Sequence, residues 1–155
     1  MRFTAFEEFV YIMLVNASQA AYHEEAHTTH TLLSSLNVFY KYMIKSDEHS
    51  LLNEEIDAIK SYYKMQNIRY GNRFEMCIDG CIEGDVFIDH ASVIAFIDQI
   101  LNSLLNRYED FFWMNLSVIT KANTILLEVK VETGGKKEFH SKSFAKQGGR
   151  LCTSS

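Results

Sequence analysis

The chain has 155 residues, 47% hydrophobic and 23% charged, with no proline at all. At the usual content of about 5%, roughly eight prolines are missing, which excludes a polyproline linker and favours uninterrupted helices. Fifteen Lys and Arg against twenty Asp and Glu give a formal net charge of -5, and such an acidic body repels nucleic-acid phosphates, so no nucleic-acid partner is expected.

The first segment reads as a helix. Phe3, Phe6, Val10, Met13, Leu14, Ala17 and Ala21 recur at three- and four-residue steps and form one apolar stripe. The run 9–15 follows Glu7 and Glu8 and is too short for a signal-peptide core. No run approaches the ~20 apolar residues that span a bilayer. A second helix is expected over about 24–45, with Leu32, Leu36, Phe39, Tyr40 and Met43 as its stripe. Two such helices with a short join pack as an antiparallel hairpin over residues 1–46. Two stripes make a thin core, so the hairpin is expected to find a partner, a second copy or the rest of the chain.

Residues 46–50 are polar and read as a linker. Asn53 suits the N-cap of a third helix, because its side-chain oxygen can accept from free first-turn amides. Glu54 and Glu55 then sit where the helix dipole favours negative charge. This helix is expected to run to about Arg69 and stop near Gly71. Residues 74–78 are a short strand. A fourth helix follows on Val93, Phe96, Ile97, Ile100, Leu101, Leu104 and Leu105.

Then the period changes to two. Phe112, Met114, Leu116 and Val118 alternate with Trp113, Asn115 and Ser117. After residues 121–123, Ile125, Leu127, Val129 and Val131 alternate with Glu128, Lys130 and Glu132. That is a hairpin with one buried and one wet face. Beyond Gly134, Lys136, Lys137, Lys142, Lys146 and Arg150 face only Glu138, and the stretch reads as a solvated or loosely docked end. The expected class is α+β: an N-terminal antiparallel helical hairpin, then, over 47–155, a two-layer α/β sandwich with helices on one face of a mixed or antiparallel sheet.

Three cysteines, Cys77, Cys81 and Cys152, give neither a disulfide framework nor a four-cysteine zinc site, and a reduced, cytoplasmic setting is expected. Cys77 and Cys81 read as small core residues. Trp113 and the Tyr62-Tyr63 pair read as core and hairpin packing.

His23-Glu24-Glu25-Ala26-His27 matches His-Glu-x-x-His, and His30 follows. On one helix His27 lies ~40° from His23, and His30 ~20° on its other side, so three imidazoles share a face. Such a set suits Zn²⁺, with Glu24 as base to a bound water. Against a protease, Glu25, Thr28 and Thr29 occupy places that are apolar in zinc-protease helices. A polar, exposed helix start is the plainer reading.

From about residue 32 to residue 131 the sequence resembles bacterial sensor histidine kinases of the LytS/YesM type. The resemblance rests on Leu52-Asn53-Glu54-Glu55-Ile56 and on the stretch from Tyr62 through Gln66, Arg69 and Tyr70 to Arg73-Phe74. Phe39, Lys41 and Tyr42 look like the segment that closes the second helix of that family's dimerisation hairpin. The resemblance implies a phosphoacceptor histidine within an Asn-Pro-His-Phe motif on the first helix. The corresponding stretch, residues 4–9, holds no histidine, and none occurs before His23.

The resemblance also implies a nucleotide site. Its Leu-Val-Glu-Asn-Ala motif corresponds to Phe96-Ile97-Asp98-Gln99-Ile100. Asp98 and Gln99 each keep the chemical type but change length by a methylene, which works against positioning Mg²⁺. The Asp-x-Gly-x-Gly box corresponds to the end of the last strand, where Thr133 stands nearest the adenine-reading aspartate before Gly134-Gly135. Thr133 cannot accept as a carboxylate does. Gly148-Gly149-Arg150-Leu151 looks like the start of a late strand rather than a second glycine box.

These features together imply a catalytically degenerate, shortened kinase-like module. It is expected to act by protein–protein contact in a two-component pathway, as a homodimer or heterodimer through its hairpin, with a histidine kinase or response regulator as partner. No cofactor is expected. The alternatives are Mg-ATP held by Asp98, Gln99 and Thr133 without transfer, and a metal-dependent hydrolase using His23, His27 and Glu24, with His30 as a further candidate metal ligand.

Overall fold

The computed structural model describes residues 5–80 and 82–148. Phe3, Cys81, Cys152 and the strand expected at 148–151 lie wholly or mostly outside that range. The chain divides into two compact units. The first takes the residues up to Ser46 together with Ile56–Glu75. The second takes Asp47–Glu55 and the residues from Met76 onward.

In the first unit, α1 (Ala5–His23) and α2 (His27–Met43) form the expected antiparallel hairpin. Two rungs fix the direction. The Ser18 and Ser34 hydroxyls lie 2.8 Å apart, and the Tyr22 ring meets the His30 ring at 5.3 Å. Along the chain the partner number falls as the first number rises, which is the sign of an antiparallel pair. A helix α3 (Leu52–Arg69) begins in the second unit and continues from Ile56 in the first. Its Tyr62 ring lies 5.7 Å from Phe39 of α2, and Tyr63 meets Phe74 edge-on at 5.5 Å. The Tyr62-Tyr63 pair is packing, as the sequence suggests. Gly71 at φ 68 ends α3. Its N–H donates to Ile68 O and that of Asn72 to Asn67 O, a left-handed helix stop.

Helix α3 starts at Leu52, so Asn53 lies inside the first turn rather than capping it. The Leu52 N–H donates instead to Val86 O at 2.8 Å. The expected linker also gains structure. β1 (His49–Leu51) pairs antiparallel with β3 (Phe87–Asp89), and Ser50 is buried. Three-residue strands leave no periodicity to read, which is why neither is legible in the sequence.

The rest of the second unit is a four-stranded sheet with one long helix. β2 (Phe74–Asp79), β4 (Phe112–Thr120), β5 (Thr124–Thr133) and β6 (Lys136–Ala145) lie in the order β2-β4-β5-β6. The pairs β4–β5 and β5–β6 are antiparallel. Phe112, Met114, Leu116, Ile125, Leu127, Val129 and Val131 are at most 2% exposed and share one face. Helix α4 (Ser92–Arg107) buries Val93, Ile97, Ile100, Leu101 and Leu104. Its Phe96 ring meets Phe144 of β6 at 6.1 Å, which sets α4 over that sheet face. Each such fully buried Leu or Ile contributes roughly 1.5–3 kcal/mol over leaving it exposed. The two-layer α+β class is as expected.

The basic stretch after Gly134 is not a loose end. Lys136–Ala145 is a strand paired with β5 from Thr124↔Ala145 to Thr133↔Lys136. Its inward positions, set by that register, are Glu138, His140, Lys142 and Phe144, so apolar alternation is nearly absent. Ladder hydrogen bonds, not burial, hold an edge strand of this kind. Lys142 places its ammonium 5.6 Å and 5.4 Å from the Phe96 and Phe144 ring centres.

Two packing expectations fail. Trp113 is 54% exposed on the outer sheet face, edge-on to Phe111 at 5.2 Å. Cys77 is exposed, with its thiol 3.6 Å from Asp79 Oδ1. No helix among the described residues is long and apolar enough to cross a membrane.

Candidate functional site

The histidines do not share a helix. α1 ends at His23 and α2 begins at His27. Between them Glu25 takes φ 56, its N–H donates to Tyr22 O at 3.1 Å, and the Ala26 N–H donates to Ala21 O at 2.9 Å. That bond pair is a left-handed C-cap motif, which here closes α1 without a glycine. The His-Glu-x-x-His spacing therefore straddles a turn, and the angles worked for one helix do not apply. His23 and His27 are exposed, while His30 packs on Tyr22 with its Nε2 3.5 Å from Ser34 Oγ. Among the described residues no group of three or more His, Cys, Asp or Glu is placed to hold a metal ion.

Asp98, Gln99 and Thr133, which the resemblance sets at a nucleotide site, lie on different elements. Asp98 is half-buried and Gln99 exposed, both in the second turn of α4. Thr133 closes β5, buried, with its hydroxyl donating to Phe111 O at 3.0 Å. A shallow recess beside it is lined by Phe111, Trp113, Glu132 and the residues 133–137, with neither Asp98 nor Gln99 among them. The carboxylate in this recess, Glu132, is ion-paired to Lys130 and Lys137, and Lys130 before Lys137 holds it below the ordinary carboxylate range.

Gly134 and Gly135 form the tip of the β5–β6 hairpin. Thr133 pairs with Lys136, and the two glycines have φ 51 and 80. Positive φ at both central residues marks a type I′ turn, whose twist matches the flanking strands. The glycine pair thus serves a tight reversal. The chain goes straight from β5 into β6, leaving no loop at this point to cover a phosphate.

Sequence reading missed the contacts that fix α4. Its N-cap residue, Ala91, sits at φ 57 with no side-chain cap, and its first turn holds no acid. The Val93 and Ile94 N–H groups donate instead to Glu55 Oε1 at 2.7 and 2.9 Å. Glu55 is 0% exposed. A carboxylate at a helix N-terminus is worth about 0.3–1 kcal/mol when exposed and up to ~2 kcal/mol when partly buried. The paired acids 54 and 55 were the available signal, and they point to the dipole of α3 rather than that of α4.

At the other end of α4, Arg107 donates to Glu138 through both terminal guanidinium nitrogens, at 3.1 and 2.9 Å, and the Tyr108 hydroxyl also donates to Glu138. Tyr108, then Arg107, holds the Glu138 carboxyl below its ordinary range, and the same bond raises the Tyr108 phenol.

No curated protein matches the chain. Residues 7–74 match the family model described as Histidine kinase, which supports a relationship to histidine kinases across the helical hairpin and α3.

Proposed function

We propose that this chain is a histidine-kinase-like signalling module of the LytS/YesM type that works by protein contact and not by phosphoryl transfer. The observation that carries the reading is the two-residue turn at Gly134-Gly135. Where the resembled kinases lead from a glycine box into a nucleotide lid, this chain closes a hairpin and spends its Thr133 hydroxyl on a backbone carbonyl. Residues 4–9, which the resemblance sets at the phosphoacceptor motif, hold no histidine, and this supports the reading. Neither Mg-ATP nor zinc is required by this role, and a cytoplasmic setting goes with it.

The hairpin is the proposed contact surface. Ile12 is 47% and Val38 47% exposed, and Met43 on α2 is 40% exposed. Exposed apolar residues on paired helices are suited to a bundle with a second copy, or with the matching hairpin of an intact kinase. Light scattering on the purified chain tests this. The expected result is a dimer at micromolar concentration that Val38→Glu with Ile12→Glu turns into a monomer. A wild-type chain that stays monomeric at about 100-fold higher concentration would sink the homodimer.

A further inference from the structure

The first-turn amides of an α-helix have no acceptor within the helix and must find one elsewhere. In α4 the first intrahelical bond at the start is Ala95 N–H to Ala91 O, at 3.1 Å. Val93 and Ile94 depend on one oxygen, Glu55 Oε1, 38 and 39 residues upstream. That oxygen is held in place by the first turn of α3, which is anchored by the Leu52 N–H bond to Val86 O. From Ile56 the same helix continues into the unit that contains the hairpin.

We infer that Glu55 is a coupling pin: the order of the α4 N-terminus is conditional on the winding of the first turn of α3. If that turn frays, Oε1 is withdrawn and two buried donors lose their acceptor together. A charge-assisted bond of this kind carries a factor of roughly ten or more in the local opening equilibrium. The pin gives α3 a route to the helix that bears Asp98 and Gln99. As regulation, it rests on the signalling reading; as a mechanical linkage, it can be tested without it.

Amide hydrogen exchange by NMR on the full chain is that test. Glu55→Ala is expected to speed exchange at Val93 and Ile94 about tenfold or more while the Leu104 amide keeps its rate. Fraying α3 by Asn53→Gly with Glu54→Gly is expected to speed the same two amides about threefold or more, the propensity difference giving the lower bound. In the Glu55→Ala background the glycine pair should add nothing further, because the link is already cut. An equal increment in both backgrounds, no increment in wild type, or acceleration spread equally to Leu104 would each overturn the pin. Should Glu55→Ala fail to fold, Glu55→Gln keeps the acceptor and removes its charge. Val93 and Ile94 should then exchange faster than in wild type while the glycine pair still adds its increment, and a glycine pair without effect on those two amides would overturn the coupling. Since exchange is read on the chain itself, a failed pin leaves the light-scattering result standing, and a failed dimer leaves the pin standing.

Discussion

The Gly134-Gly135 turn can be tested by replacing its first glycine. Gly134 has φ 51, and a Cβ built there meets no heavy atom within 4 Å. Steric clash is therefore absent, and backbone preference alone decides the outcome. Asparagine tolerates left-handed φ, and Asn-Gly is the preferred pair for a type I′ turn. Gly134→Asn also removes unfolded-state entropy, a gain of about 0.4–1 kcal/mol at a compatible site. Gly134→Val places a β-branched residue in the same left-handed region, at a cost of roughly 1–2 kcal/mol. For a chain of this size each kcal/mol moves the melting temperature by about 2–4 °C. Thermal unfolding by circular dichroism should therefore show Gly134→Asn at or about 1–4 °C above wild type, and Gly134→Val roughly 2–8 °C below it. A Gly134→Asn variant that loses more than about 1 kcal/mol, or a neutral Gly134→Val, would refute the hairpin-turn assignment.

Two further outcomes follow from the same sheet. A Cβ at Gly80, where φ is +131, would lie 2.8 Å from Val118 O. Since backbone must shift to admit it, Gly80→Ala should cost about 1–3 kcal/mol or more in urea unfolding, and a loss under ~0.5 kcal/mol would count against the close approach of residue 80 to β4. The Arg107–Tyr108–Glu138 cluster gives the chain two pH limits. Glu138 has a folded pKa below its ordinary 4.5, so its contribution is present above that value and is lost as pH falls through the lower folded one. Tyr108 has a folded pKa above its ordinary 10.0, so its contribution is present below 10.0 and is lost as pH rises through the higher folded one. Urea midpoints measured against pH should fall at both ends, and Tyr108→Phe should remove its share of the alkaline fall; an unchanged alkaline limb would show that the Tyr108–Glu138 bond carries no stability.

The sequence conveys elements whose burial is periodic. The α4 stripe, the β4–β5 alternation and the hairpin helices are all where their spacing puts them, because one face of each must leave water. It conveys much less where backbone pairing does the holding. β6 presents Glu138, His140 and Lys142 inward, and those residues read as solvent-facing until Arg107, Tyr108 and the Phe96 and Phe144 rings are seen beside them. The histidine motif does not lie on one helix, and the reason is local. Left-handed Glu25 ends α1 with no glycine to announce it, so a spacing that needs one continuous helix spans two. Glu55 shows the remaining limit: its acidity is visible, but a cap 38 residues away is a property of the fold and not of the neighbourhood in sequence.

On the proposed reading, this chain does not transfer phosphate. Incubation of the purified chain with Mg²⁺ and γ-labelled ATP, followed by electrophoresis under conditions that preserve phosphohistidine, tests it most directly. No label on the chain is the predicted result. Acid-labile label that survives in Gly134→Asn and is abolished by replacing one histidine would contradict the account.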